Sequence, residues 1–95
     1  MPRTIATAVL GVPGVAGLTA GPLGVVATYL PGERVDGVAV RDDEVEVDIV
    51  AEYGRPLPPL AERVRAVVRP LSAGRTVTVV VADLAVPADT GGGGA

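Results

Sequence analysis

The sequence predicts an α+β fold, a two-layer sandwich whose elements follow the order α-β-β-β-α-β. Two patterns support this prediction. From Glu44 to Tyr53, apolar residues alternate with acidic ones, which is typical of a strand with one buried and one exposed face. From Leu57 to Leu71, apolar residues recur at helical spacing. The 95 residues suffice for one small domain. From the order of the elements, we expect a mostly antiparallel sheet with helices on one face.

The N-terminal segment is predicted to form a short helix from Ile5 to Leu10. Thr4 is the candidate N-cap, and Ile5, Val9 and Val12 fall on one side of the helix. A Val-Pro-Gly-Val sequence then ends it. The alternative is a cleaved signal peptide, because one arginine precedes an apolar run that small residues follow. The run itself is too short to span a membrane.

The two strands nearest the middle of the chain are predicted to form a hairpin. Asp42-Asp43 is the candidate two-residue turn. This turn places Val40 opposite Val45 and Val38 opposite Val47, so that apolar residues face apolar residues. The register is therefore consistent with the hydrophobic pattern.

An earlier strand is predicted to complete a three-stranded meander. A four-residue turn at Pro31–Arg34 would place Ala27 opposite Val38 and Val25 opposite Val40. The inner face of the meander would then carry Val25, Ala27, Val38, Val40, Val45, Val47 and Ile49.

The second helix is predicted to begin near Pro58-Pro59, since a missing N–H costs nothing in a first turn. Its apolar residues lie on one arc, and Glu62, Arg65 and Arg69 lie on the opposite arc. Pro70 would clash with the preceding turn, so the helix should end near Val68 or Arg69. The apolar arc consists of Leu57, Leu60, Val64, Val67, Val68 and Leu71.

The last strand is predicted over Thr76–Leu84, which is rich in valine. Its two sets of alternating side chains are both apolar, and the pattern leaves open which sheet face Val77, Val79 and Val81 occupy. We expect residues 1–86 to form the single domain and residues 87–95 to form a flexible glycine-rich tail.

Composition argues against catalysis. The chain has no Cys, His or Lys, which excludes thiolate, imidazole and amine chemistry, and its net charge is −3. An acidic stretch, Asp42–Asp48, is interpreted as the solvated face of a strand and not as a cation site. Gly14–Gly17 matches a G-x-x-G pattern but lacks the basic residues of a nucleic-acid-clamping loop. We therefore predict no enzyme activity, cofactor, metal or small-molecule substrate.

Several segments together resemble a known family. Val12–Leu18 looks like a "V-x-G-V-x-G-L" element, and the alternating strand that ends in Glu52-Tyr53-Gly54 looks like a "V-x-V-x-V-x-V-x-x-x-Y-G" signature. An amphipathic helix rich in "x-x-V-R-x-x-V" and a valine-rich strand follow. Over roughly residues 4–84, this order is similar to that of the alkaline shock proteins, a bacterial envelope stress response family. The resemblance implies a cytoplasmic protein without established catalytic activity that often reaches the membrane through an integral partner.

The sheet face away from the helices, called the outer face, is the predicted interaction surface. Apolar residues left there would mediate self-association or docking of a partner. The alternative is that the first helix or the tail covers this face. Arg65 and Arg69 are second candidates, because a basic helix face could stack on an acidic sheet face of another copy. The apolar candidates are Val26, Leu30, Val35, Val50 and Val80.

The sequence thus predicts a protein-protein interaction or scaffold module of the bacterial cytoplasm. Its expected partner is a second copy or another protein, which could itself be anchored in the membrane, and direct membrane insertion is not expected. The alternative is a small nucleic-acid-binding module, which the negative charge and the scarcity of aromatic residues disfavour.

Overall fold

The computed structural model describes residues 1–86, and it confirms the α+β class. The predicted tail, residues 87–95, lies outside the described residues. In chain order the elements are α1 (Pro2–Leu10), β1 (Val15–Leu18), β2 (Ala27–Leu30), β3 (Glu33–Asp36), β4 (Val38–Val40), β5 (Glu44–Glu52), α2 (Leu57–Val68), a 3-10 turn (Arg69–Leu71) and β6 (Thr76–Ala85).

β5 is the central strand of the main sheet. One of its edges pairs in parallel with β6 over its full length. Its other edge pairs antiparallel with β4 along its first half and with β1 along its second half. β2 and β3 form a separate two-stranded antiparallel sheet.

The predicted hairpin between β4 and β5 is confirmed. Val38 lies opposite Val47, and Val40 lies opposite Val45. The backbone N–H of Arg41 donates to the carbonyl of Glu44 at 2.7 Å, which closes the turn. The pairing of apolar residues that are close in sequence therefore predicted this register correctly.

The predicted three-stranded meander is wrong at its first strand. The turn between β2 and β3 contains only two residues, so Ala27 lies opposite Asp36 and not opposite Val38. Val25, which we placed on the inner face, is 70% exposed and precedes the strand. β2 and β3 thus form a hairpin that is not part of the main sheet.

Gly37 explains why this hairpin leaves the main sheet. It separates β3 from β4 with a φ of +83°, a conformation that favours glycine. A Cβ atom at this position would lie 2.7 Å from the Cβ of Leu18, so that no side chain fits. The Gly37 N–H donates to the carbonyl of Val26, whereas its own carbonyl accepts from the Asp48 N–H. The chain therefore changes direction at this residue.

The N-terminal helix begins earlier than predicted. α1 starts at Pro2, with Met1 as N-cap, so Thr4 lies inside the helix and does not cap it. Proline is favoured here because its missing N–H is not needed in the first turn. The segment that follows forms β1, which we did not predict, and it contains Gly17 of the G-x-x-G pattern. Because this glycine is paired with Val50 in the sheet, no nucleic-acid-clamping loop is formed.

α2 and the core agree with the helical pattern. The helix ends at Val68, and Pro70 lies in the 3-10 turn that follows. α1, α2 and the sheet contribute side chains to the same core, whose helix-facing sheet residues include Val45, Val47 and Ile49. The fully buried large side chains are Ile5, Val9, Val38, Val45, Val47, Ile49, Leu60, Val64, Val68 and Ser72.

β6 places its odd-numbered valines toward the helices. Val77 pairs with Val45 and is buried, and Val79 and Val81 pack against the same core. A bulge follows Val81, since Ile49 pairs with Val81 but Val50 pairs with Asp83. Leu84 therefore lies opposite the buried Ala51.

The revised register predicts different effects for two identical substitutions. Val47→Ala removes buried methyl groups and should lower the free energy of unfolding by about 2 kcal/mol, because a cavity remains. Val25→Ala, at an exposed position, should change it by less than about 0.5 kcal/mol. Urea denaturation followed by circular dichroism measures both values. Equal losses at the two sites would contradict the register described above.

Candidate interaction surface

The strongest candidate for an interaction surface is the edge of β6. Within residues 1–86, β6 pairs with β5 and with no other strand. Its second edge, called the open edge and running from Thr76 to Ala82, therefore carries backbone groups without a strand partner. Such groups form a template to which another strand can add.

The direction of the backbone groups follows from one hydrogen bond. The Thr76 N–H donates to the carbonyl of Asp43 at 3.1 Å, so the backbone groups of Thr76 point toward β5. Backbone groups alternate in direction along a strand. The N–H and C=O groups of Val77, Val79 and Val81 consequently point outward along the open edge.

The open edge lacks the features that usually prevent strand addition. Natural edge strands are protected by charges, proline or a short length. Thr76–Ala82 contains only threonine, valine and alanine, and β6 is a ten-residue strand. Val79, Val80 and Val81 remain half-buried within this chain. A regular, neutral and apolar edge is thus available over five consecutive residues, from Val77 to Val81.

Two of the predicted interaction residues lie beside this edge on the outer face. Val80 pairs with Asp48, and Val50 pairs with Asp83, so they occupy successive outer-face positions on β5 and β6. Both side chains are half-buried. Their predicted placement agrees with the structure because it depends only on the alternation of each strand.

The remaining apolar candidates are not part of an exposed face. Val26 is buried, so its predicted place on an exposed face is wrong. Val35 packs against the core and pairs with Thr28 in the separate hairpin. Leu30 is half-buried at the end of β2, in that same hairpin, and does not adjoin Val50 or Val80 in the main sheet.

The segment between β1 and β2, residues 19–26, accounts for the burial of Val26. The Thr19 N–H donates to the carbonyl of Asp48 at 3.1 Å, and the Val26 N–H donates to the carbonyl of Ala20 at 3.0 Å. A Cβ atom at Gly21 would lie 3.9 Å from Oδ2 of Asp48. This segment thus packs beside Asp48, whose residue is only 5% exposed.

The burial of Asp48 contradicts our interpretation of the acidic stretch as fully solvated. Burial, and after it hydrogen bonding to Glu46, raise the pKa of the Asp48 carboxyl to about 7. The pKa of Glu46 is lowered, first because it accepts this hydrogen bond and then because of Arg41. The two carboxyl groups therefore hold one proton between them below about pH 7.

The other acidic side chains that β5 places on this face are paired with cations or hydroxyls. Arg41 contacts Glu44 at 3.1 Å and Glu46 at 3.0 Å. Arg55 contacts Glu52 at 3.0 Å. These carboxylates of β5 are therefore less available for electrostatic stacking on another copy, because they already have partners within the chain.

The predicted arginines border a basic groove. Arg65 is half-buried and pairs with Glu62, whereas Arg69 is exposed in the 3-10 turn. Together with Arg75 they line a shallow groove of about 580 Å³ between α2 and the start of β6. Arg75 is held by backbone oxygens, with Nε donating to Arg41 at 2.7 Å. None of the apolar outer-face candidates lines this groove.

Within the described part of the chain, no group of three or more acidic side chains is arranged to hold a metal ion. None of the helices described has the length and apolar character needed to cross a membrane.

Comparison with protein-family models, with curated proteins and with solved structures found no match.

The sequence reasoning missed the open edge and Arg75. We named Val80 for its side chain, whereas the distinctive feature of β6 is the outward backbone of Val77, Val79 and Val81. The absence of charge and proline over Thr76–Ala82 was the available signal. It became informative only once the parallel pairing with β5 was known.

The buried carboxyl generates a prediction on pH dependence. Because the folded state raises the pKa of Asp48 from 3.8 to about 7, it favours the protonated form. The contribution of this group to stability is fully present below about pH 4 and is lost as the pH rises to about 7. Asp48→Asn should therefore stabilise the protein at pH 8 by on the order of 2 kcal/mol.

Thermal unfolding at pH 5 and pH 8 measures this effect. The stabilisation by Asp48→Asn should be smaller at pH 5 than at pH 8, and the matched variant Asp43→Asn, at an exposed turn residue, should show no such difference. Parallel pH profiles for the wild type and Asp48→Asn would show that Asp48 does not titrate in this range.

Proposed function

We propose that this protein is a non-enzymatic interaction module that binds another protein chain by strand addition to β6. The observation that carries the proposal is the open edge, where the outward backbone groups of Val77, Val79 and Val81 have no strand partner within residues 1–86. Backbone hydrogen bonds would supply affinity, and the alternating side chains of the edge would supply specificity.

The outer face adds a second source of contact. Val50 and Val80 are half-buried aliphatic side chains next to the open edge. A strand that adds to β6 would bring its own outer-face residues beside Val80, and further burial of these apolar groups favours association. The parallel pairing of β5 with β6 is extensive enough to hold the edge in place while a partner binds.

The resemblance of Val12–Leu18 and Glu44–Gly54 to alkaline shock proteins supports the cellular setting of this proposal. We propose an envelope-stress-related scaffold role in the bacterial cytoplasm, with the membrane reached through an anchored partner. The basic groove shares Thr76 and Val77 with the start of the open edge, so Arg65 and Arg69 border that end of β6.

Two substitutions at one residue test the proposal. Val79→Pro removes an outward N–H and leaves the hydrogen bonds to β5 intact, because proline is tolerated where an edge N–H faces solvent. Val79→Thr keeps the N–H and the β-branched shape. Proteins co-purifying with each tagged variant from native membranes and cytosol are then quantified.

We expect Val79→Thr to recover as much partner protein as the wild type. The amount recovered with Val79→Pro should fall at least about tenfold, which corresponds to about 1.4 kcal/mol of binding free energy. Circular dichroism verifies that both variants are folded. Equal recovery of partners by the two folded variants would contradict strand addition at β6.

A further inference from the structure

The open edge of β6 is complementary to itself. We propose that its partner is a second copy of this chain, paired antiparallel about a two-fold axis at Val79, so that β6 of both copies forms one continuous sheet. This inference rests on the proposed function, since it names the occupant of the same edge.

The outward backbone groups select this register. Hydrogen-bonded pairs in an antiparallel ladder must join residues whose backbone groups point at each other. Only a register centred on Val79 uses all three outward residues, with Val79 opposite Val79 and Val77 opposite Val81 of the second copy. Displacement by two residues in either direction would leave one of these valines without a pair.

The same register matches side chains on both faces. Directly opposite residues project to the same side of a sheet. Val77, Val79 and Val81 of both copies would therefore meet on the helix-facing side, beside the core that they already adjoin. Thr78 would lie opposite Val80 on the outer face, where both are half-buried in the single chain. The joined edge is thus apolar on its helix-facing side.

The self-matching edge favours a second copy over an unrelated strand. A different partner would need a neutral, β-branched segment with free backbone groups along one edge. β6 itself provides these features from Val77 to Val81, and a two-fold axis at Val79 aligns them.

Sedimentation equilibrium tests the inference, first on the wild-type protein. We expect a monomer–dimer equilibrium, in which the average mass approaches twice that of the 9.5 kDa chain as the concentration rises. A wild-type protein that stays monomeric up to millimolar concentration overturns the proposal without any variant. If the β6-dependent capture of other proteins persists in that case, the proposed function stands and only the identity of the partner is wrong.

Substitution of Val79 by charged residues then tests the register, because the two-fold axis places Val79 of one copy opposite Val79 of the other. Val79→Lys and Val79→Glu should each raise the dimer dissociation constant at least about tenfold, since like charges would be opposed. An equimolar mixture of the two variants should recover the dimer. Val25→Lys, at an exposed site away from β6, is the matched control and should dimerise as the wild type does.

Two outcomes overturn the pairing at Val79. One is a wild-type dimer that both charged variants retain, which would locate the interface elsewhere. The other is a mixture of folded Val79→Lys and Val79→Glu that stays monomeric. Circular dichroism on each sample verifies folding, and the wild-type measurement still decides whether a second copy binds if either variant fails to fold.

Discussion

β5 is hydrogen-bonded along both of its edges, and this double pairing determines where the other strands lie. β6 occupies one edge completely, and β4 and β1 share the other edge. Because neither edge of β5 is free, the unpaired backbone groups of the main sheet lie on the neighbouring strands. β6 is the longest of these neighbours, and it carries no charged residue from Thr76 to Ala82. The interaction proposed for this protein is therefore a consequence of strand order.

The two faces of β5 have different roles in the structure. Its helix-facing residues form the core with both helices, and its outer face is partly covered by the segment from Thr19 to Val26. Asp48 lies beneath this segment, where burial and then Glu46 raise the pKa of its carboxyl. The outer face is thus less available than its sequence indicates, and Val50 and Val80 remain beside the open edge.

Local patterns predicted the elements that depend on neighbouring residues. The hairpin at Asp42-Asp43 and the end of α2 followed from turn chemistry and helical periodicity, because their partners are close in sequence. The first hairpin was wrong because the chain turns at Gly37, which has a positive φ and leaves no room for a Cβ atom beside Leu18, a residue distant in sequence. β1 was missed because four residues carry too little periodicity. The open edge could not be predicted, since a strand becomes an edge only through long-range pairing.

Hydrogen exchange at individual amides of β6 tests the central claim most directly. The inward amides of Thr78 and Val80 should be protected at every protein concentration, because they bond to β5. The outward amides of Val77, Val79 and Val81 should exchange rapidly in dilute solution and become protected as the concentration rises. Rapid exchange of these three amides at all concentrations, with no partner added, would contradict pairing of β6 with a second copy.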